Sequence, residues 1–127
     1  MLGEILLRAT NEINSIESAA AAGNLTLECA AGEVWEVHEV VIYHDDPAGN
    51  TLNWRLINPT MTKSVTIPIG AVAINERVRL GAWLATPLVL CPGMAVDIMG
   101  GALAAGKKFY MEYHIHRVRG VPAGEWL

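Results

Sequence analysis

The sequence predicts an all-β domain: an antiparallel β-sandwich of about eight strands, a jelly roll in preference to an immunoglobulin-like arrangement, preceded by an N-terminal helix or arm. Three observations predict it. Short apolar runs with a period near two recur along the chain, turn residues punctuate them at short intervals, and no helical periodicity intervenes after residue 23. Parallel sheets need crossover connections of a dozen or more residues, usually helical, so two packed antiparallel sheets are the consistent solution.

The central element is 33–44, the longest run rich in β-branched and aromatic residues. Its phase slips. Trp35, Val37, Val41 and Tyr43 share one parity, whereas Val40 and Ile42 share the other with Glu36 and His38. Such a slip predicts a bulge near Glu39, or a strand buried on both faces at its far end. Further strands are expected over 24–29, 51–57, 64–69, 76–80, 88–90, 94–99 and 107–118. Alternation is clean in Leu52/Trp54/Leu56, Val65/Ile67/Ile69, Met94/Val96/Ile98 and Phe109/Met111/Tyr113/Ile115. Asp46-Pro47, Asn58-Pro59, Thr86-Pro87, Cys91-Pro92-Gly93, Gly100-Gly101 and Gly106 mark the breaks, because each removes a ladder donor or admits positive φ.

Before these strands, Leu2, Ile5, Leu6, Ala9, Ile13, Ile16 and Ala20 fall three or four apart, which predicts an amphipathic helix over 2–20. It packs on its own sandwich or reaches a neighbour as an arm, with 19–23 as a small-residue hinge. The division expected is therefore 1–23 as helix or arm and 24–127 as sandwich. At the other end, Trp126-Leu127 follows a Pro/Gly spacer and is expected to dock rather than stay wet.

At 127 residues the chain is one domain, long enough to bury roughly two thirds of its unfolded surface. Apolar residues make up 52% and charged residues only 17%, against about 25% in ordinary soluble domains. That shortage of charge predicts that sister copies or a larger assembly cover part of the exterior. The apolar runs are too short to span a membrane, and the N-terminus lacks the basic leader and long apolar stretch of a signal peptide, so no membrane partner and synthesis in the cytoplasm are expected. Cys29 and Cys91 are too few for a disulfide framework and are read as buried free thiols. Charge is unevenly spread: residues 1–46 hold nine acids and one base, and residues 47–127 hold four acids and eight bases. The two halves can pair within one subunit or steer neighbours together. Scattered bases without interleaved aromatics argue against nucleic acid as a partner.

Residue chemistry identifies no enzyme. Glu112-x-His114-x-His116 points to one face of the last strand, and two histidines about 6.8 Å apart can chelate a metal from a strand. Further ligands would have to come from Glu36, His38 or His44. An exposed, partly paired strand face is the preferred reading, so no cofactor is expected. His44-Asp45-Asp46-Pro47 offers two carboxylates for calcium and is read instead as a solvated turn. Ser15, Ser18 and Ser64 lie outside any GxSxG, neither cysteine has a basic sequence neighbour, and no phosphate-binding glycine loop is present. Trp35 and Trp54 lie in phase with core residues, which leaves Trp83 as the tryptophan expected at an interface.

Ala30-Ala31-Gly32-Glu33-Val34-Trp35-Glu36-Val37, followed by Pro87-Leu88-Val89-Leu90-Cys91-Pro92-Gly93-Met94-Ala95-Val96-Asp97-Ile98, resembles small β-sandwich virion proteins of tailed bacteriophages. In those, an AGxVWxV strand opening and an LxPGxxV hairpin precede a last long strand. The resemblance spans 24–119. It implies a non-enzymatic capsid decoration (cement) subunit or, failing that, a tail or head-to-tail component. It also implies a homo-oligomer, with a trimer favoured, located in the virion and contacting the major capsid protein or another virion protein. A helical N-terminal segment departs from the short extended arms of many decoration proteins. The contact residues expected are Leu2, Ile5, Leu6, Trp83, Trp126 and Leu127. Two alternatives stay open: a cupin-like metal or small-molecule binder using Glu112, His114 and His116, and a carbohydrate-binding sandwich marked by an exposed aromatic row.

Overall fold

The computed structural model describes residues 8–58, 62–82 and 88–120. Nine strands form among them: β1 (Arg8–Glu17), β2 (Asn24–Glu28), β3 (Glu33–His44), β4 (Asn50–Asn58), β5 (Lys63–Val72), β6 (Val78–Arg79), β7 (Leu88–Leu90), β8 (Ala95–Met99) and β9 (Phe109–Arg119). A 3-10 turn, Leu80–Ala82, follows β6. One sheet runs β1-β9-β3-β6 with β7 also on β3, and the other runs β2-β8-β4-β5.

The pairing is nested, and that identifies the jelly roll. β1 pairs β9, β2 pairs β8, β3 pairs β6 and β7, and β4 pairs β5, all antiparallel. The chain is thus one long hairpin whose tip is the β4–β5 turn. Rolled up, the hairpin gains the β3·β9 and β4·β8 ladders and separates into two sheets. β6 and β7 are two short pieces of a single edge position on β3.

The slip in the central strand is a bulge. Val37 faces Ile115 and Glu39 faces His114, so His38 is the extra residue. Before it Trp35 and Val37 point inward, and after it Val40 and Ile42 do, which keeps both ends of the strand in the core. Trp54, Phe109, Ile42, Leu52, Leu90, Ile98, Met111 and Ile115 are fully buried between the sheets. Each contributes about 1.5–3 kcal/mol by leaving water. Trp35 and Trp54 both face inward, as their phase predicts.

The N-terminal helix is overturned over Arg8–Glu17, where the chain is a ten-residue strand on the edge of β9. The apolar stripe was thin: Ile16 packs against the core, while Ile13 is 82% exposed. Thr10, Asn11, Asn14 and Ser15 have side chains that compete for helix backbone groups, and the open edge of β9 offers an unbroken ladder instead. Ser18 then anchors the strand end. Its N–H donates to the Phe109 carbonyl and its Oγ accepts the Phe109 N–H, both at 2.9 Å.

The β3–β4 turn corrects a second expectation. It is only partly solvated: Pro47 and Ala48 are exposed, but His44 is fully buried and Asp46 is 5% exposed. His44 Nδ1 accepts the Asp46 N–H at 3.1 Å, so Nε2 carries the hydrogen and donates to the Val72 carbonyl at 2.9 Å. Asp46 accepts the N–H groups of Ala48 and Ala104, and Asp45 accepts that of Lys108 and the Tyr110 hydroxyl. These bonds hold both carboxyls below the usual aspartate range, the Lys108 N–H leading at Asp45 and the Ala104 N–H at Asp46. The carboxylates staple the turn to the β8–β9 connection, and calcium is not needed to explain them.

The acidic first third pairs with the basic remainder inside one subunit. Glu12 and Glu33 meet Arg117 and Arg119, Glu17 meets Lys108, and Glu39 meets Arg79.

Candidate functional site

The residues singled out for chemistry lie on the outer face of the first sheet. β9 alternates strictly: Phe109, Met111, Tyr113 and Ile115 are buried, and Tyr110, Glu112, His114 and His116 are half-buried on the other side. Glu112, His114 and His116 therefore share a face, as their spacing predicts, but each is engaged with a different neighbour. Glu112 takes an ion pair from Arg77, whose guanidinium also lies 4.3 Å over the Tyr43 ring. His114 stacks on His38 at 5.0 Å between ring centroids, and His38 Nε2 is 2.8 Å from Glu36 Oε1. His116 stands across from Glu36 in the ladder. His44, the other candidate ligand, points inward and packs edge-on to Phe109.

Stacked imidazoles present faces rather than nitrogen lone pairs to each other, so His38 and His114 do not converge on a common point. Among the described residues no group of three His, Cys, Asp or Glu side chains is placed to hold a metal ion. A cupin-type centre lies inside the roll. Here the rings of His38, His114 and His116 lie outside it, and the one inward ring, His44, is committed to the Asp46 N–H and the Val72 carbonyl among core side chains.

Other polar residues are also committed to structure. Glu39 accepts both Nε and Nη2 of Arg79, at 2.9 and 2.6 Å, and the N–H groups of Gly81 and Val40. Burial pushes its carboxyl up, but the Gly81 N–H and Arg79 outweigh that and hold it below the usual glutamate range. On the second sheet Asp97 is fully buried yet faces outward, where Arg55 grips it through Nε and Nη2 and Thr26 donates at 2.7 Å. Burial and the charge of Glu33 push the Cys29 thiol up to about 12, which makes it a packing residue rather than a nucleophile. Cys91 is half-buried, not buried as expected.

Leu2, Ile5, Leu6, Trp83, Trp126 and Leu127, the expected contact residues, lie outside the described residues. Among those described, the exposed large apolar side chains are Ile13 at 82%, Val65 at 58%, Val89 at 50% and Ile74 at 42%. Sequence reasoning placed Ile13 on a helix stripe and the others in strands or turns, so none was marked as surface. The outward Tyr43/Tyr110 stack, 5.0 Å between centroids, was also missed. Following the bulge at His38 through to the end of the strand would have turned Tyr43 outward. These rings face each other and Arg77 covers Tyr43, so they do not form the open aromatic row of a sugar platform. An open apolar groove of about 200 Å³ lies between Leu56, Val65, Leu88, Leu90 and Met94.

No family model matches the chain, and no curated protein matches it. Among solved structures it is similar to the Clostridium thermocellum endo-1,4-β-D-xylanase 10B CBM22-1–GH10 modules complexed with xylohexaose. The identity is 10% and the TM-score 0.35, over 80% of this chain and 20% of that one. It is also similar to the nora virus structure at 6% identity and a TM-score of 0.27, over 94% of this chain and 60% of that one. The chain thus spans a fifth of the first and three fifths of the second, and neither likeness carries an argument about its function.

Proposed function

We propose that the chain is a non-enzymatic structural subunit of a virion, a capsid decoration protein in the first instance and a tail or head-to-tail component in the second. It works by packing rigid surface against copies of itself and against the shell. The observation that carries this reading is where the apolar residues lie. Buried apolar side chains from both sheets form one core, and Ile13, Val65 and Val89 stand out on strands at the rims of the two sheets. Singly, exposed apolar residues are ordinary. In a chain with only 17% charged residues, three of them on edge strands fit a surface that other subunits cover.

The resemblance to phage virion proteins is the other support for this reading. Its two stretches meet at one corner, where Trp35 on β3 faces Leu90 on β7. The Cys29 N–H donates to the Met94 carbonyl, and the Gly93 N–H donates to the Cys29 carbonyl. Gly32 and Gly93 both take positive φ, 73° and 83°, which is what the glycine of each motif supplies.

Light scattering of the purified full chain tests the proposal. The expected mass is a multiple of 13.7 kDa. A monomer at every concentration overturns the reading. A stoichiometric metal ion in protein purified without a histidine tag would also overturn it, in favour of a metalloprotein.

A further inference from the structure

We propose that β1 is a self-pairing edge: two copies join their first sheets by antiparallel β1·β1′ pairing about a two-fold axis at Ile13. This deepens the structural-subunit reading and rests on it.

The described edges are not equivalent. β2 has five residues, β6 two and β7 three, too few for a stable added strand. β5 is long but blunted. It begins at Lys63, carries Pro68, and shifts register opposite Leu52/Asn53 beside Gly70, whose φ is 101°. Lysine, proline and a bulge are among the devices by which edge strands resist pairing, as are other charges, inward-pointing ones above all. β1 has none of the first three; its charges are Arg8, Glu12 and Glu17, and Glu12, opposite Ile115 on the inward side, is already held by Arg117 and Arg119. It runs ten residues without Pro, Gly or lysine, in register with β9 from Arg8↔Arg119 to Glu17↔Tyr110 without a shift.

Its side chains match their own two-fold image. An axis normal to the sheet keeps the outer face of both copies on one side, so opposed residue numbers add to an even total. Centred on Ile13, the register opposes Ile13 to Ile13′, Glu12 to Asn14′, Asn11 to Ser15′, Thr10 to Ile16′ and Ala9 to Glu17′. The 82% exposed isoleucine then covers its mate, and no like charges stand directly opposed; the two Glu12 side chains become diagonal neighbours, each neutralised by Arg117 and Arg119 of its own copy. Asn14 Nδ2 already donates to Glu12 Oε1 at 3.2 Å within one strand, so a second amide beside that carboxylate is compatible. Centring on Glu12 instead opposes Glu12 to Glu12′, which is repulsive. Centring on Asn14 shortens the ladder and leaves Ile13 against Ser15′. The occupant of this edge is therefore a second copy of the same chain. The contact closes as a pair, so a trimer would have to use a different surface.

The decisive variant is Ile13→Cys in the full chain. Directly opposed residues across an antiparallel pair have Cα atoms about 4.5–5.5 Å apart, within disulfide reach. Mild oxidation should give a covalent dimer from Ile13→Cys, and none from Val65→Cys on the blunted edge or from the wild type. Ile13→Lys should abolish the dimer in light scattering and remove the concentration dependence of the thermal melt, while its melt matches that of wild type at dilutions where wild type is monomeric, because the side chain is exposed in the single subunit. Suppose the protein associates but Ile13→Cys does not cross-link, or only Val65→Cys does. The β1 assignment then falls and the structural-subunit reading stands. A chain that is monomeric in every variant removes both.

Discussion

The two faces of β9 come from one eleven-residue run and one set of ladder hydrogen bonds, yet they differ in what they tolerate. Inward, Phe109, Met111 and Ile115 are fully buried, held from both sides by β1, β3 and the opposite sheet. Outward, Glu112 and His114 each rest on one neighbour, Arg77 and His38 respectively. The difference shows why Glu-x-His-x-His is a poor guide to function. On a sandwich, period two places such residues on a common face, but only the inner face encloses a volume in which ligands converge.

The largest break in this comparison comes from truncating the inner face. Phe109→Ala empties the space beside His44 and should lower unfolding free energy by about 3–5 kcal/mol, read as a shift in urea midpoint at constant m-value. A loss below about 1 kcal/mol would mean that the core collapses into the gap and that the inner face is less specified than its burial suggests.

A middle-sized effect separates the stapled turn from both faces. Asp45 and Asp46 have folded-state values below those of the unfolded chain, so their stabilisation is fully present above the unfolded aspartate value of about 3.9. It is lost as pH falls through the depressed folded values. Urea midpoints should therefore hold from pH 7 to about pH 5 and drop below about pH 4. Asp46→Asn should lower the neutral plateau, because the amide is a weaker acceptor for Ala48 and Ala104, and should flatten the acid limb. An acid limb of unchanged slope in this variant would mean that the turn is not what titrates.

Most of this architecture was legible before any coordinates, for a definite reason. Residues with clean alternation, such as Leu52/Trp54/Leu56 and Phe109/Met111/Tyr113/Ile115, have one buried face, and period two records burial directly. The break in that period within 33–44 pointed to a bulge near Glu39 or to a strand buried on both faces, and the bulge is there, at the adjacent His38. What misled was Arg8–Glu17. Both faces of an edge strand are partly wet, so burial leaves little trace in its sequence, and a coincidental three-to-four spacing read as a helix. Its state is decided by the vacant edge of β9, a partner about a hundred residues away that no local pattern can reveal. The nested pairing was legible only as strand count. The candidate site was legible as a face, not as a place, since the bulge at His38 and the arginines on other strands decide which groups each residue meets.

The smallest effect sharpens the comparison from the outer side. His114→Ala and His116→Ala each remove a half-buried ring without opening a cavity, and His114 forfeits a stack with His38 worth about 0.5–1.5 kcal/mol at most. The expected order is then Phe109→Ala far below wild type, His114→Ala slightly below it, and His116→Ala within about 0.5 kcal/mol. Glu112→Ala belongs with His114→Ala, because its Arg77 pair is solvent-exposed and therefore weak. If His116→Ala instead destabilised the protein like Phe109→Ala, the outer face would have to be covered in the folded state. In an isolated chain no described element covers it, so the covering surface would be another subunit, and the deficit should then grow with protein concentration. Denaturation of wild type and His116→Ala at two concentrations tenfold apart distinguishes the cases: midpoints that move together place this face in solvent.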